Sequence, residues 1–122
     1  MSDIAGTVER YISLWNETDG DARAKGIAEI FTADATYTDP LADVAGHAGI
    51  DAVMAGAQGQ FPGFTFKLLT AVDGNHHIAR FSWELLPPGA DENVVIGSDV
   101  AVFDGNGKIQ GVYGFLDKVP AA

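Results

Sequence analysis

The chain has 122 residues, 47% of them hydrophobic, which is the size and apolar content of one domain spanning residues 1–122 that folds without help from a metal or disulfide. Seventeen acidic residues against seven basic ones give a net charge of −10, a field that repels phosphate backbones and anionic lipid and so excludes nucleic acid and membrane surfaces as partners. With no cysteine there is no thiol catalysis, cysteine-based zinc site or disulfide; with no spanning apolar run, and no basic-then-apolar leader at Met1-Ser2-Asp3-Ile4, a soluble cytoplasmic protein is expected.

From Ile4 to Glu17 the apolar residues Ile4, Val8, Tyr11, Ile12 and Trp15 recur at spacings of three and four, the pattern of an amphipathic helix. Tyr11 lies on its inward face, where a phenol needs a partner. Thr18-Asp19-Gly20-Asp21 carries turn and cap chemistry, and Ala22 to Phe31 reads as a second helix with Ile27, Ile30 and Phe31 inward. After an extended stretch, Leu41 to Gly46 reads as a loop. His47 to Gln60 is then a third helix, with Ile50, Val53, Met54 and Ala57 on one side.

From Phe64 the period changes to two. Phe64, Phe66, Leu68 and Thr70 share one face of a strand that closes at Asp73-Gly74-Asn75, and His77, Ala79, Phe81, Trp83 and Leu85 share one face of the next. Pro87 to Glu92 is a wide turn into a strand from Asn93 to Phe103. Asp104-Gly105-Asn106-Gly107 is a tight hairpin into a last strand from Lys108 to Leu116. Helices first and a meander of strands after predict an α+β fold: a cone-shaped, curved antiparallel sheet with three N-terminal helices packed on its concave face.

Two carboxylates stand out. Pro40 biases Asp39 away from helical geometry, so the run Thr36-Tyr37-Thr38-Asp39-Pro40 ends in a carboxylate where a strand stops, at the seam of helices and sheet. The plain alternative is a turn-starting aspartate bonded only to its own backbone. Asp99 interrupts an otherwise apolar strand and shares a face with Gly97, Ala101 and Phe103. On the concave face it would be desolvated and hold its proton; on the outer face it would pair with Arg80 or Lys67.

Together with Arg10-Tyr11, the run Ala35 to Pro40, the helix start Gly46 to Ile50, Asp99 to Phe103 and Gly107-Lys108-Ile109, these features resemble the nuclear-transport-factor-2-like superfamily over nearly the whole chain. Within it the chain resembles the delta-5-3-ketosteroid isomerases and the SnoaL-like polyketide cyclases. The resemblance implies that Asp39 is a general base, and that Tyr11 and a protonated Asp99 donate to the oxygen of a dienolate. In the cyclases the late-strand carboxylate, here Asp99, carries the acid–base work. Where the isomerases place further tyrosines, this chain has Phe31 and Met54. The apolar lining expected for the substrate is Trp15, Phe31, Met54, Phe61, Phe81, Trp83, Val112 and Leu116.

No cofactor or metal is expected. His76 and His77, adjacent in a strand, would point to opposite faces and could not converge on one ion. His47 at a helix start reads as a surface or capping residue. No serine has a Gly-x-Ser-x-Gly setting, and Gly105-Asn106-Gly107 is a hairpin rather than a phosphate loop. The leading reading is a cofactor-independent isomerase or cyclase acting next to the carbonyl of a small hydrophobic steroid- or polyketide-like ligand. Its rivals are a non-catalytic binding module for such a ligand and a scaffold whose cavity is filled by Trp15, Phe61 and Trp83. Arg80 and Glu84 are placed on an outer sheet face through which a homodimer is expected to form.

Overall fold

A computed structural model of the protein describes residues 3–120; Met1 and Ser2, part of the N-terminal segment read above as lacking a leader, and Ala121 and Ala122 lie outside it. Three helices, α1 (Ile4–Asn16), α2 (Gly20–Ile30) and α3 (Gly46–Gln60), pack on one face of a seven-stranded sheet. Its strands are β1 (Phe31–Asp39), β2 (Ala42–Ala45), β3 (Thr65–Leu68), β4 (Asp73–Asn75), β5 (Ile78–Leu86), β6 (Val95–Phe103) and β7 (Ile109–Lys118). The order is β2-β1-β7-β6-β5-β3, with β4 also on β5. The fold is the expected α+β cone, an open sheet curled about its helices.

The sheet is mixed rather than wholly antiparallel, because β1 runs parallel to β7. Strand β1 leaves α2 directly, and the long excursion through α3 and the meander returns β7 alongside it in the same direction. Phe31 therefore opens a strand instead of closing a helix. The expected loop after Pro40 is strand β2, joined to β1 by a two-residue turn that places Asp39 opposite Ala42. Asp73-Gly74-Asn75 is not a turn but β4, which continues along β5 where β3 leaves off. The hairpin turn falls on His76-His77, with His76 at φ 47°, so these histidines form the turn itself rather than a stretch of strand.

Two of the three helix starts are capped by an aspartate. Asp3 caps α1 by accepting from Gly6 N (2.9 Å), and Asp19 caps α2 by accepting from Asp21 N (3.0 Å) and Ala22 N (3.4 Å). The end of α1 is tied down twice. Asn16 Nδ2 donates to Phe66 O (2.9 Å) while its Oδ1 accepts from Phe66 N (2.7 Å), joining the helix to β3. Arg23 of α2, a buried cation, pairs with Asp51 of α3 and donates through Nη1 to Glu17 O (2.9 Å) and Gln58 Oε1 (3.1 Å). Gln58 Nε2 in turn donates to Trp15 O (2.9 Å) and Glu17 O (2.8 Å), so the free carbonyls ending α1 are satisfied from the other two helices.

The core between the layers holds Tyr11, Phe31, Ile27, Ile50, Met54, Leu85 and Val112, each almost fully buried. Burial of a large apolar side chain contributes roughly 1.5–3 kcal/mol, so this layer anchors helices to sheet. Inward and outward residues alternate along β6, with Val95, Gly97, Asp99, Ala101 and Phe103 buried. Among the described residues no helix is long and apolar enough to cross a membrane.

Candidate functional site

A cavity of about 560 Å³ opens between the helices and one end of the sheet. Tyr11, Asp39 and Asp99 all line it. Of the apolar residues expected around a substrate, Trp15, Phe61, Trp83 and Leu116 line it. Phe31, Met54, Phe81 and Val112 do not; they are packed in the core, with Phe31 and Phe81 edge-on to Tyr11 at 5.9 and 6.0 Å between ring centroids. Phe31 and Phe81 back the phenol, and all four lie behind the wall instead of on the open space. Trp15, Phe61 and Trp83 form walls and do not fill the cavity.

Asp39 does two things at once. Its Oδ1 accepts from Leu41 N and Ala42 N, both at 2.8 Å, which is the turn-capping role an aspartate before proline often takes. Its Oδ2 faces Tyr37, whose hydroxyl donates at 2.6 Å. Tyr37 and Asp39 are two apart on one strand and so share a face. The plain reading of Asp39 as a turn aspartate holds, and the same turn bonds keep its carboxylate at the cavity.

Asp99 is 4% exposed and faces the helices, not Arg80 or Lys67. Arg80 pairs with Asp73 at 2.9 Å on the outer face, and Glu84 accepts from Asn93 at 3.0 Å. Burial pushes the Asp99 carboxyl up to about 7; the charges of Asp39 and Asp117 add to the rise, and the Trp83 indole offsets part of it. Tyr11 is 1% exposed and its hydroxyl has no partner within the described structure. Burial, followed by the charge of Asp99, pushes its phenol well above the usual range. Tyr37 is pushed up as well, chiefly by burial.

The two carboxylates are separated by a glycine. Asp99 of β6 is opposite Gly114 of β7, and Asp39 follows Thr38, whose partner on β7 is Tyr113, so both acids flank Gly114. A methyl group at Gly114 would lie 2.7 Å from Asp99 Oδ1 and 3.4 Å from Asp39 Cβ. Glycine inside a strand often marks such a close approach. Gly97 does the same for Trp83, its partner on β5, whose indole occupies the space a side chain would take.

Sequence reasoning missed Tyr37 as a partner of Asp39, although the two-residue spacing was a usable signal. It also missed Gly114, which carries no side chain to notice and gains meaning only from strand register. His47 is not at the cavity: its Nε2 lies 3.2 Å from Phe31 O and 2.9 Å from Thr32 O, joining α3 to β1. Among the described residues no three of His, Asp and Glu are grouped to hold a metal.

Residues 8–112 match the SnoaL-like domain. The chain belongs to the SnoaL-like family. This family is part of the nuclear-transport-factor-2-like superfamily. Among solved structures, this SnoaL-like chain is similar to a protein of Agrobacterium tumefaciens provisionally described as an isomerase of the SnoaL-like family, at 36% identity and a TM-score of 0.87 over 92% of this chain and 95% of that one. Two more distant structures, both 13% identical, share the fold. One is a loop-truncation variant of IdmH, with a TM-score of 0.75 over 94% of this chain and 93% of that one. The other is a SnoaL-like protein of unknown function from Burkholderia thailandensis, with a TM-score of 0.71 over 95% and 97%. A search of the curated proteins finds no match.

Proposed function

We propose that this SnoaL-like protein is a cofactor-independent isomerase or cyclase that moves a proton next to a carbonyl in an apolar, steroid- or polyketide-like substrate. The observation that carries the reading is a pair of carboxylates in unlike surroundings on one largely apolar cavity: Asp39 held by three donors, Asp99 buried and reluctant to ionise. One acid and one base in a single site is what proton transfer at neutral pH requires. The similarity to the Agrobacterium protein, provisionally described as an isomerase, points the same way.

In this mechanism Asp39 takes the proton from the carbon beside the ketone. The electron pair left behind moves onto the carbonyl oxygen, where Tyr11 and neutral Asp99 donate hydrogen bonds as charge develops. Asp39 then returns the same proton further along the conjugated system, so nothing is consumed. Tyr11, with a buried hydroxyl lacking any partner, is a donor prepared for a ligand oxygen. Tyr37 positions Asp39 through its hydroxyl.

A second reading is favoured by the Asp99 carboxyl, which at about 7 is poised to give and take a proton near neutrality. There Asp99 is the acid–base group of a cyclase, and Asp39 orients the substrate. Conversion of a β,γ-unsaturated ketosteroid to the conjugated enone, followed by ultraviolet absorbance in wild type, Asp39→Asn and Asp99→Asn, separates the two. The first reading expects Asp39→Asn to lose about 10²-fold or more of turnover with substrate affinity retained. Unchanged turnover in Asp39→Asn sinks it. Ligand binding with no conversion by any form points to a cyclase of a different substrate or to the binding module.

We infer also that the protein works as a homodimer through its outer sheet face. Among the described residues no helix covers that face, and Tyr113 and Phe115 of β7 are 43% and 63% exposed there.

A further inference from the structure

The charge of the cavity is one-sided. Asp39 and Asp99 face it, and among the described residues no lysine, arginine or histidine lines it. Arg10, Arg23 and Arg80 pair with Glu29, Asp51 and Asp73, all outside its lining. Much of the remaining wall is aromatic. Trp15 lies 5.7 Å from Tyr37 and 5.4 Å from Phe66, and Phe66 lies 5.4 Å from Trp83, centroid to centroid, so four rings form a continuous chain along the cavity. Aromatic faces attract cations through their quadrupoles, carboxylates attract them by charge, and partial exclusion of water strengthens both.

A neutral ketone uses only part of this chemistry. It accepts from Tyr11 and Asp99 and gives a proton to Asp39, but it offers no positive charge to the carboxylates or the ring faces. The buried, unpartnered Tyr11 hydroxyl is an independent sign of a missing ligand, and its oxygen can accept as well as donate. Gly114, lacking a side chain, lets both carboxylates approach β7 closely at the cavity wall.

We propose that this cavity binds organic cations, with a compact ammonium head in the cavity beside Asp39 and Asp99 and against the Trp15, Phe66 and Trp83 rings, and an apolar body along the aliphatic wall. The inference uses the same cavity as the proton-transfer reading and goes beyond its chemistry. Asp99 is faced by Tyr11 from α1, by Tyr37 and Asp39 from β1 and by Trp83 from β5, and the charge of Asp117 reaches it from the outer face, where that carboxylate accepts from Ser98; none of these groups is cationic. Since its proton is held up to about 7, a permanently charged ligand gains a second carboxylate partner as pH rises through that value. A ligand that accepts a hydrogen bond from Asp99 loses its donor over the same range.

Phenyltrimethylammonium and its neutral isostere tert-butylbenzene test this. Each is titrated into the full chain and followed by tryptophan emission, because both tryptophans of the chain, Trp15 and Trp83, line the cavity. The cation is expected to bind about tenfold tighter or better than the isostere, the scale of a partly desolvated cation–π and charge contact. Its affinity should rise between about pH 6 and about pH 8 while that of tert-butylbenzene stays level. In Asp99→Asn the preference should narrow to about threefold or less, with tert-butylbenzene binding retained as the sign of an intact cavity. Equal or tighter binding of tert-butylbenzene by wild type overturns the proposal. So does a cation affinity that is flat over that pH range, a result obtained without any variant. Enone formation reads separately from these titrations, so either reading can fail alone.

Discussion

Asp99 should make the stability of this protein fall as pH rises, in a way that one substitution removes. The unfolded chain releases the Asp99 proton near the ordinary value of 3.8, whereas the folded chain holds it to about 7. Between those values the folded state binds more protons, so stability declines with rising pH. Below 3.8 both states are neutral and nothing is lost; above about 7 the loss is complete. At about 1.4 kcal/mol per pH unit the full loss is about 4 kcal/mol, of which about 3 kcal/mol falls between pH 5 and pH 8. At 4% exposure, solvent screening does little to reduce this. Asp99→Asn keeps the shape and cannot ionise. Urea unfolding of both forms across that range should show the variant gaining on wild type by about 3 kcal/mol toward pH 8, a large share of the roughly 5–15 kcal/mol that holds a domain together. The comparison cancels the other titrating groups. Two stability curves that run parallel in pH would refute the claim that Asp99 is buried against its charge.

Gly114→Ala should cost about 1–3 kcal/mol in urea unfolding and abolish turnover and ligand binding together, because its methyl has only 2.7 Å to Asp99 Oδ1. Gly105→Ala, with nothing within 4 Å, is the neutral control, and equal behaviour of the two variants would show that Gly114 is not a spacer. The outer-face homodimer predicts sedimentation at twice the 12.8 kDa chain mass, and monomers for Phe115→Arg with folding and cavity binding preserved. A wild type that sediments as a monomer at micromolar concentration removes that surface from consideration.

The helices and most strands were legible because their signals are local. The three-and-four spacing from Ile4 to Trp15 and the alternation from Val95 to Phe103 each state a period, and a period names a buried face without knowledge of what covers it. Asp99 could be picked out for the same reason, as a charged residue on a face otherwise apolar or small. Asp39 was marked by Pro40, whose ring restricts the residue before it.

What the sequence could not express was pairing. Strand β2 is only four residues with no strong alternation, and it exists because β1 offers it an edge. The parallel contact of β1 with β7 joins residues as far apart in the chain as Phe31 and Ile109, a relation no local pattern encodes. The separation of lining from core residues was likewise hidden. Phe31 and Phe61 are equally hydrophobic, yet one is packed behind Tyr11 and the other bounds open space. Composition, period and the Asp39-Pro40 pair, by themselves, determined the fold class, the acidic character and the two carboxylates worth attention. Only the tertiary structure decided that those carboxylates flank Gly114, because strand register, set by hydrogen bonding across the sheet, fixes which distant residues become neighbours.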